Sequence, residues 1–134
     1  MQYFLKKIYN LLFHILVFNF IVKLCDFLPN LHFFNRVRGV LLKPFFKKVG
    51  RNFAVASGNT LVMARNMTVG DDVYIAHDCW INATGGLFLE DGVIISPKNV
   101  IATTKHVYEN GKVHLNKSEN DKIVVPIKVL LSME

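Results

Sequence analysis

The sequence predicts a mainly β protein, a parallel β-helix of about three coils that is preceded by an N-terminal helical segment. Two observations lead to this fold class. Aliphatic residues recur at six-residue steps within blocks that repeat every twenty residues, and the first third of the chain differs in composition from the rest. The 134 residues are enough for one domain with a core. We expect the helical segment over 1–45, the β-helix over 46–129 with a loop at 107–121, and a tail over 130–134.

The repeat consists of three blocks that start twenty residues apart. Six-residue steps within the blocks reach an aliphatic residue each time, and the predicted inward residues are Val49, Val55, Leu61, Val69, Ile75, Ile81, Leu89, Ile95 and Ile101. Three six-residue sides and two additional residues at one corner, Met67-Thr68 or Leu87-Phe88, complete a coil. Inward residues of successive coils then stack while their backbones pair as in a parallel sheet, which requires several coils.

The position after each inward residue is usually small, and we expect these small residues to let the chain turn the corners. They are Gly50, Ala56, Gly70, Ala76, Ser96 and Ala102. A β-sandwich is the competing interpretation, but its strands show runs of alternating residues between turns. Because sandwich strands show neither a six-residue register nor a twenty-residue repeat, the pattern favours the solenoid.

The N-terminal segment is basic and rich in phenylalanine. Residues 1–48 contain nine of the eleven phenylalanines and one acid, Asp26. The basic residues of this segment are Lys6, Lys7, Lys23, Arg36, Arg38, Lys43, Lys47 and Lys48. The apolar stretch Leu11–Val22 predicts a helix that ends before Pro29. Its polar residues change to a nearly opposite face after Val17, so we expect the helix to bend, to break or to have neighbours on both sides.

Two interpretations of this helix stay open: it packs on the body of the protein, or it lies on an anionic membrane surface. We expect no transmembrane span, because Leu11–Val22 is shorter than the ~20 apolar residues that a bilayer requires. We expect no signal peptide, because no small-residue cleavage site follows. The predicted location is the cytoplasm, and peripheral contact with the inner membrane is left open.

Several kinds of site are not favoured. Cys25 and Cys79 lie far apart without metal-ligand spacing, which predicts buried, reduced thiols in a cytosolic protein. No phosphate-loop pattern is present in the sequence. The basic residues are mixed with Phe and Leu instead of forming a nucleic-acid reader, so we expect no nucleic-acid partner.

The stretch from about Arg38 to His106, with a weaker continuation to Val129, resembles hexapeptide-repeat acyltransferases of the sugar O-acetyltransferase branch. The residues that carry the resemblance are Val69-Gly70-Asp71-Asp72-Val73-Tyr74-Ile75, Ile81-Asn82-Ala83-Thr84-Gly85-Gly86, Ile95-Ser96-Pro97 and Ile101-Ala102-Thr103-Thr104-Lys105-His106. The resemblance implies a left-handed β-helix and a homotrimer with active sites between subunits. It also implies acetyl-CoA as co-substrate and a sugar hydroxyl as acceptor, in bacterial surface polysaccharide such as O-antigen or capsule or in its lipid-linked precursor.

The resemblance makes His106 the candidate catalytic base, because the family's histidine lies where a strand of the third face leaves the coil. A neutral imidazole, with an ordinary pKa near ~6.5, can take the proton of a sugar hydroxyl as it attacks the thioester. The family generally supplies backbone N–H groups for the oxyanion. A solvated loop histidine is the alternative. The neighbouring Lys105 is interpreted either as a solvated charge, which we favour, or as a phosphate contact for CoA.

Three residues of the preceding coil are candidates for contact with the acceptor sugar: Asp78, Trp80 and Asn82. Asp78 corresponds to a position where relatives often have Asn, and it points away from His77 if this segment is a strand. Asn82 has an equally favoured interpretation as a corner or ladder residue. Trp80 either stacks on a sugar or packs against a neighbouring subunit.

We expect no metal, because the zinc enzymes of this fold require a pair of histidines five residues apart. Here His106 and His114 are eight apart. After the polar segment, in which Asn110-Gly111 marks a turn, Lys122–Val129 predicts re-entry into a fourth coil. Relatives continue beyond this point, so the alternative function is a catalytically inactive, truncated acyltransferase fragment that acts at most as an assembly or membrane-associated module. The sugar, its hydroxyl and the acyl chain are not predicted.

Overall fold

The structure, a computed structural model, describes residues 1–120 and 123–125. Two α-helices come first, α1 (Gln2–Cys25) and α2 (His32–Leu42), followed by a 3₁₀ turn over Lys43–Phe45. The strands are β1 (Lys48–Val49), β2 (Ala54–Val55), β3 (Thr60–Val62), β4 (Met67–Val69), β5 (Tyr74–Ile75), β6 (Trp80–Asn82), β7 (Leu87–Leu89), β8 (Ile94–Ile95), β9 (Val100–Ala102), β10 (Thr104–Glu109), β11 (Lys112–Asn120) and β12 (Ile123–Val125). A second 3₁₀ turn covers Ala64–Asn66. The predicted tail, 130–134, lies outside the described residues.

The strands stack into parallel sheets, as a parallel β-helix requires. The first sheet has the order β1-β4-β7-β12, the second β2-β5-β8 and the third β3-β6-β9. Each of the nine predicted inward residues is in register with the residue twenty positions away, as in the pairs Val55–Ile75 and Ile81–Ile101. Eight of the nine are buried and Val49 is half-buried. The predicted parallel solenoid with a preceding helical segment is therefore confirmed.

The corners turn at different residues from those predicted. Positive φ angles occur at Asn52, Asp72 and Gly92 and again at Gly58, Asp78 and Lys98, each set spaced by twenty residues. The small residues Gly50 and Gly70 have another role, because a Cβ on either would collide with the Asp71 or Asp91 carboxylate of the next coil. Oδ1 of Asp71 accepts a hydrogen bond from the backbone N–H of Arg51 over 2.7 Å. The small residues thus make room for contacts between coils.

The polar segment after β9 is a β-hairpin where a loop was expected. Strands β10 and β11 pair antiparallel, with a register irregularity between His106 and Val107. The predicted turn at Asn110-Gly111 is confirmed, with φ angles of 51° and 74° that are typical of a two-residue type I′ hairpin turn. The chain then re-enters the first sheet, because β12 pairs parallel with β7. This confirms the predicted re-entry for 123–125, whereas 126–129 lie outside the described residues.

Helix α1 is one continuous element of 24 residues. Its buried residues, Phe18, Val22 and Cys25, lie in its C-terminal part, while residues 1–10 are all exposed. By length and composition the helix could cross a membrane, since its most apolar window has a mean hydropathy of 1.8. The apolar stretch estimated from the sequence was too short, because the helix continues through Lys6 and Lys7 to apolar residues near Gln2. The same properties occur in core helices and signal sequences, so the location of the protein stays a prediction.

Candidate functional site

The candidate site lies at the corner where the strands of the third sheet end. Along the third sheet this corner is formed by the 3₁₀ turn Ala64–Asn66 after β3, by residues 83–86 after β6, and by the β10–β11 hairpin after β9. Hydrogen bonds join the three levels: Asn66 donates from Nδ2 to the carbonyl of Thr84 over 3.1 Å, and the Gly85 N–H donates to Thr103 Oγ1 over 2.7 Å. The corner is thus a continuous edge of the solenoid.

His106 is on β10, at the start of the hairpin, with an exposed side chain. It follows the last residue of β9, Ala102, by four positions and immediately precedes the register irregularity. Lys105 is also on β10 and exposed. The imidazole therefore faces solvent at the edge of the third sheet.

Three polar residues hold the base of this hairpin. The Thr103 hydroxyl is buried and donates to the carbonyl of Asn82 over 2.9 Å, while it accepts from the Gly85 N–H. The Asn82 amide donates to Thr104 Oγ1 over 3.2 Å. Because Thr103 directly precedes β10 and Thr104 is the first residue of that strand, these bonds fix the point at which the hairpin leaves the coil.

Thr103 was not predicted as a site residue, although the sequence carries a signal for it. It lies twenty residues after the buried Ala83, at a position where the corner is closed from solvent. A hydroxyl at such a position requires partners. A polar residue at a buried repeat position is therefore the sequence feature that would have identified it.

The amide of Asn82 is occupied within the protein. Its Oδ1 accepts from the backbone N–H of Thr84 over 3.0 Å and from the Thr84 hydroxyl over 2.6 Å. Because Nδ2 donates to Thr104, both the oxygen and the nitrogen of the Asn82 amide form hydrogen bonds within the corner. Of the two interpretations left open by the sequence, this geometry favours the corner role, and contact with an acceptor stays a prediction.

Asp78 lies away from His106, at the opposite end of the third-sheet strands. It is in the turn between β5 and β6 with a φ of 59°, and its carboxylate stands over Gly58. Because the segment is a turn and not a strand, the side chains of His77 and Asp78 do not point apart: His77 Nδ1 is 3.0 Å from Asp78 Oδ2. The structure does not bring Asp78 together with His106 within one chain.

Trp80 faces outward on the third sheet. Its side chain is 40% exposed, and it is in register with Val100, which is 70% exposed. Asn82 lies on the same face two residues later, while the intervening Ile81 is buried. The outer face of this sheet thus carries an apolar patch next to the corner where the hairpin begins.

Neither cysteine is arranged as a nucleophile. Cys25 and Cys79 are free and buried, as predicted, and burial raises the pKa of each thiol. A raised pKa disfavours the thiolate, which is the reactive form. Over residues 1–120 and 123–125, no group of three His, Cys, Asp or Glu side chains is arranged to hold a metal ion.

Among the described residues of this corner, His106 is an exposed imidazole on a hairpin whose base is fixed by Thr103, Thr104 and Asn82. Comparisons of the chain with protein-family models, with curated proteins and with solved structures each gave no match.

Proposed function

We propose that the protein is a hexapeptide-repeat acyltransferase that moves an acetyl group from acetyl-CoA to a sugar hydroxyl. The proposed β-helix is left-handed, with about three coils. One observation carries the proposal: a twenty-residue coil register coincides with an exposed histidine, His106, on the strand that leaves the third sheet. The proposed setting is cytoplasmic synthesis of a bacterial surface polysaccharide, because acetyl-CoA and lipid-linked precursors meet there.

In the proposed reaction, His106 accepts the proton of the sugar hydroxyl while the hydroxyl oxygen attacks the thioester carbonyl carbon. A carbon–oxygen bond forms, and the carbon–sulfur bond then breaks. The imidazolium returns its proton to the departing CoA thiolate, so the protein ends in its starting state. Backbone N–H groups are the proposed donors to the oxyanion, and neither cysteine is needed because no acyl-enzyme forms.

A homotrimer is part of the proposal, and two features of the outer surface support it. Asp78 and His106 lie at opposite ends of the third-sheet strands, so a site that contains both needs two chains. Trp80 and Val100 form an exposed apolar patch between these ends. A neighbouring subunit packed on this patch would cover it and place its own Asp78 near His106.

A non-catalytic assembly or membrane-associated module is the second candidate. The observation that favours it is the exposed apolar surface of α1, which includes Phe4, Leu12 and Phe20. Contiguous exposed apolar surface marks a contact with a partner or a membrane. The amide of Asn82 is also already occupied by Thr84 and Thr104.

The test is thiol release from acetyl-CoA by the purified chain with a panel of sugar acceptors. We expect acceptor-dependent release that His106→Ala reduces by roughly 10²–10⁴-fold, the usual contribution of a general base. His32→Ala is the matched control, since His32 is an exposed histidine on α2 and outside the corner. Its activity should equal that of the unchanged chain.

Calorimetry with acetyl-CoA separates the two candidate functions. Binding without turnover would leave the acceptor to be found, and equal turnover by His106→Ala and the unchanged chain would reject His106 as the base. Absence of both binding and release would reject the enzyme and favour the module. Sedimentation analysis of the unchanged chain and of Trp80→Glu tests the trimer, because a charge in the proposed interface should dissociate it.

A further inference from the structure

An apolar cleft lies between α1 and the first coil of the β-helix. Leu11, Ile15 and Phe18 of α1 form one wall, and Phe45 with residues 60–64 of the coil forms the other. Its volume is about 150 Å³ and its lining is almost wholly apolar. A closed apolar cavity of that size takes one benzene ring, so this cleft has room for a segment of a hydrocarbon chain.

A basic rim borders the cleft. Lys6, Lys7 and Arg65 line an adjoining depression of about 520 Å³, which shares Leu11, His14 and Arg65 with the cleft. No carboxylate lines either space among the described residues. Within residues 1–120 and 123–125, the three cationic side chains of the rim make no ion pair. The rim is therefore a site of uncompensated positive charge next to an apolar slot.

The surroundings of the cleft are also apolar and basic. Large apolar side chains of α1 are exposed at Tyr3, Phe4, Leu5, Ile8, Tyr9, Leu12, Phe13, Ile15, Leu16, Phe20 and Leu24. Over residues 1–70 the chain contains ten lysines and arginines but one carboxylate, that of Asp26. Contiguous exposed apolar surface of this kind marks a contact with a membrane or with another protein. The accompanying positive charge favours a membrane or partner that is anionic.

We propose that this cleft and rim bind an anionic lipid, whose apolar chain enters the cleft and whose phosphate contacts Lys6, Lys7 and Arg65. A second copy of the chain is a poorer occupant, because a self-complementary contact at this face would bring the two basic rims together. Free phosphate would leave the apolar cleft empty. An anionic lipid occupies both features, because its apolar chain fills the cleft and its phosphate contacts the rim.

The position of the rim connects the lipid to the candidate site. Arg65 is in the turn after β3, and the His106 hairpin follows β9, two strands further along the same edge. Adjacent strands are about 4.8 Å apart, so the two levels are separated by roughly 10 Å. If the proposed acetyl transfer holds, a sugar attached to the lipid phosphate would extend along this edge to His106. That extension rests on the proposed function, whereas lipid binding does not.

The test is flotation of the purified full chain with vesicles of phosphatidylcholine alone and of phosphatidylcholine with phosphatidic acid. We expect selective flotation with the anionic vesicles. Arg65→Gln should lower the affinity roughly fivefold, and Lys6→Gln with Lys7→Gln roughly 25-fold, because each cation near an anionic surface contributes about a factor of five. The matched control is Lys98→Gln, which removes an exposed cation outside the rim and should lower affinity far less.

A second pair of variants distinguishes the cleft from general insertion of α1. Ile15 lines the cleft, whereas its neighbour Leu16 is more exposed and lies outside it. Ile15→Asp should lower the affinity at least roughly tenfold through an unfavourable carboxylate in the slot, and Leu16→Asp should lower it less. Equal losses, or equal flotation with both kinds of vesicle, would overturn the proposal. The proposal would also be overturned if Arg65→Gln floated like the unchanged chain. It would be overturned too if the lipid-free chain formed an oligomer that Ile15→Asp dissociates. None of these outcomes depends on acetyl transfer, so the two proposals fail separately.

Discussion

The guanidinium of Arg38 donates from Nε to the carbonyl oxygen of Cys25 over 3.0 Å, which joins α2 to the C-terminal end of α1. Arg38 is only 1% exposed, and its other nitrogens donate to Asn35 Oδ1 over 2.7 Å and to the carbonyls of Leu28 and Pro29. All these partners are neutral oxygens. The negative end of the α1 dipole favours a cation at this place. The contact fixes the direction of α1, and with it one wall of the cleft.

Replacing Arg38 by Met should lower the free energy of unfolding by about 3 kcal/mol, because the buried amide oxygen of Asn35 and the part-buried carbonyls of Leu28 and Pro29 then lose this donor. Chemical denaturation measures the change. Arg36→Met on the same helix is the control: Arg36 contacts Asn52 at the exposed surface, so the expected loss is within about 0.5 kcal/mol. Similar losses for both variants would mean that the buried bonds of Arg38 contribute little.

The base of the His106 hairpin gives a second prediction. Thr103→Val keeps the shape and β-branching but removes the hydroxyl that accepts from Gly85 and donates to Asn82. We expect a loss of about 1–2 kcal/mol, since the partly buried N–H of Gly85 is left without its acceptor. Faster hydrogen exchange at the Gly85 amide would locate the effect.

Thr104→Val is the matched control for that experiment. Its hydroxyl accepts one bond, from Asn82 Nδ2, and is only half-buried, so water can replace it. The expected loss is therefore smaller, within about 0.5 kcal/mol. A larger loss for Thr104→Val than for Thr103→Val would show that the hairpin is held by the Asn82 amide.

The solenoid was predictable because its signal is periodic and each inward residue repeats the same requirement. Val55, Ile75 and Ile95 stack in one column, so any one of them could change without hiding the pattern. The corners were assigned to the wrong residues, since positive φ at Asn52 and Asp72 is a backbone property that Asn and Asp indicate only weakly. The glycine–aspartate contacts between coils depend on register, which is known only after the coils are stacked.

The candidate site was predictable to a smaller extent. The place of His106 after the third-sheet strand follows from the repeat, and the structure has that order. The hairpin was missed because its strands pair with each other instead of with a coil, although Lys112-Val113-His114-Leu115-Asn116 alternates polar and apolar residues after the Asn110-Gly111 turn. The separation of Asp78 from His106 follows from the path of the coil, which spacing along the chain does not reveal.

The two cysteines provide a chemical probe of the fold. Cys25 and Cys79 are 5% and 1% exposed, and burial raises the pKa of both thiols. We expect iodoacetamide to label both slowly in the folded protein at neutral pH and quickly in denaturant, as followed by mass spectrometry. Lys98→Cys, at an exposed corner, is the positive control and should be labelled at once. Rapid labelling of Cys79 in the folded chain would contradict its burial.

The same pKa shift predicts the response of stability to alkali. Because the folded protein holds its thiol protons more tightly than the unfolded chain, it binds more protons above the ordinary thiol pKa of about 8.5. Stability is therefore unaffected below that pH and falls as the pH rises toward the folded pKa. Cys79→Ser should reduce this alkaline loss, which thermal unfolding at stepped pH measures.

Acid should weaken the contact between Arg51 and Asp71. The backbone N–H of Arg51 donates to Asp71 Oδ1 over 2.7 Å and its guanidinium donates to Oδ2 over 2.9 Å, which together lower the pKa of Asp71. The folded chain thus holds this carboxylate ionised to a lower pH than the unfolded chain. The stabilisation is present above the ordinary Asp pKa of about 3.9 and is lost as the pH falls through the folded pKa.

Asp71→Asn should lower the melting temperature at neutral pH, and the difference from the unchanged chain should shrink as the pH falls below the ordinary Asp pKa toward the lower folded pKa, below which Asp71 is neutral as well. Circular dichroism melts at stepped pH measure both. Arg51→Ala tests the cause, because it removes the guanidinium but keeps the backbone N–H. On that background the effect of Asp71→Asn should be smaller but still present. A difference that persists unchanged into strong acid would show that Asp71 acts through its shape in the ladder of coils and not through its charge.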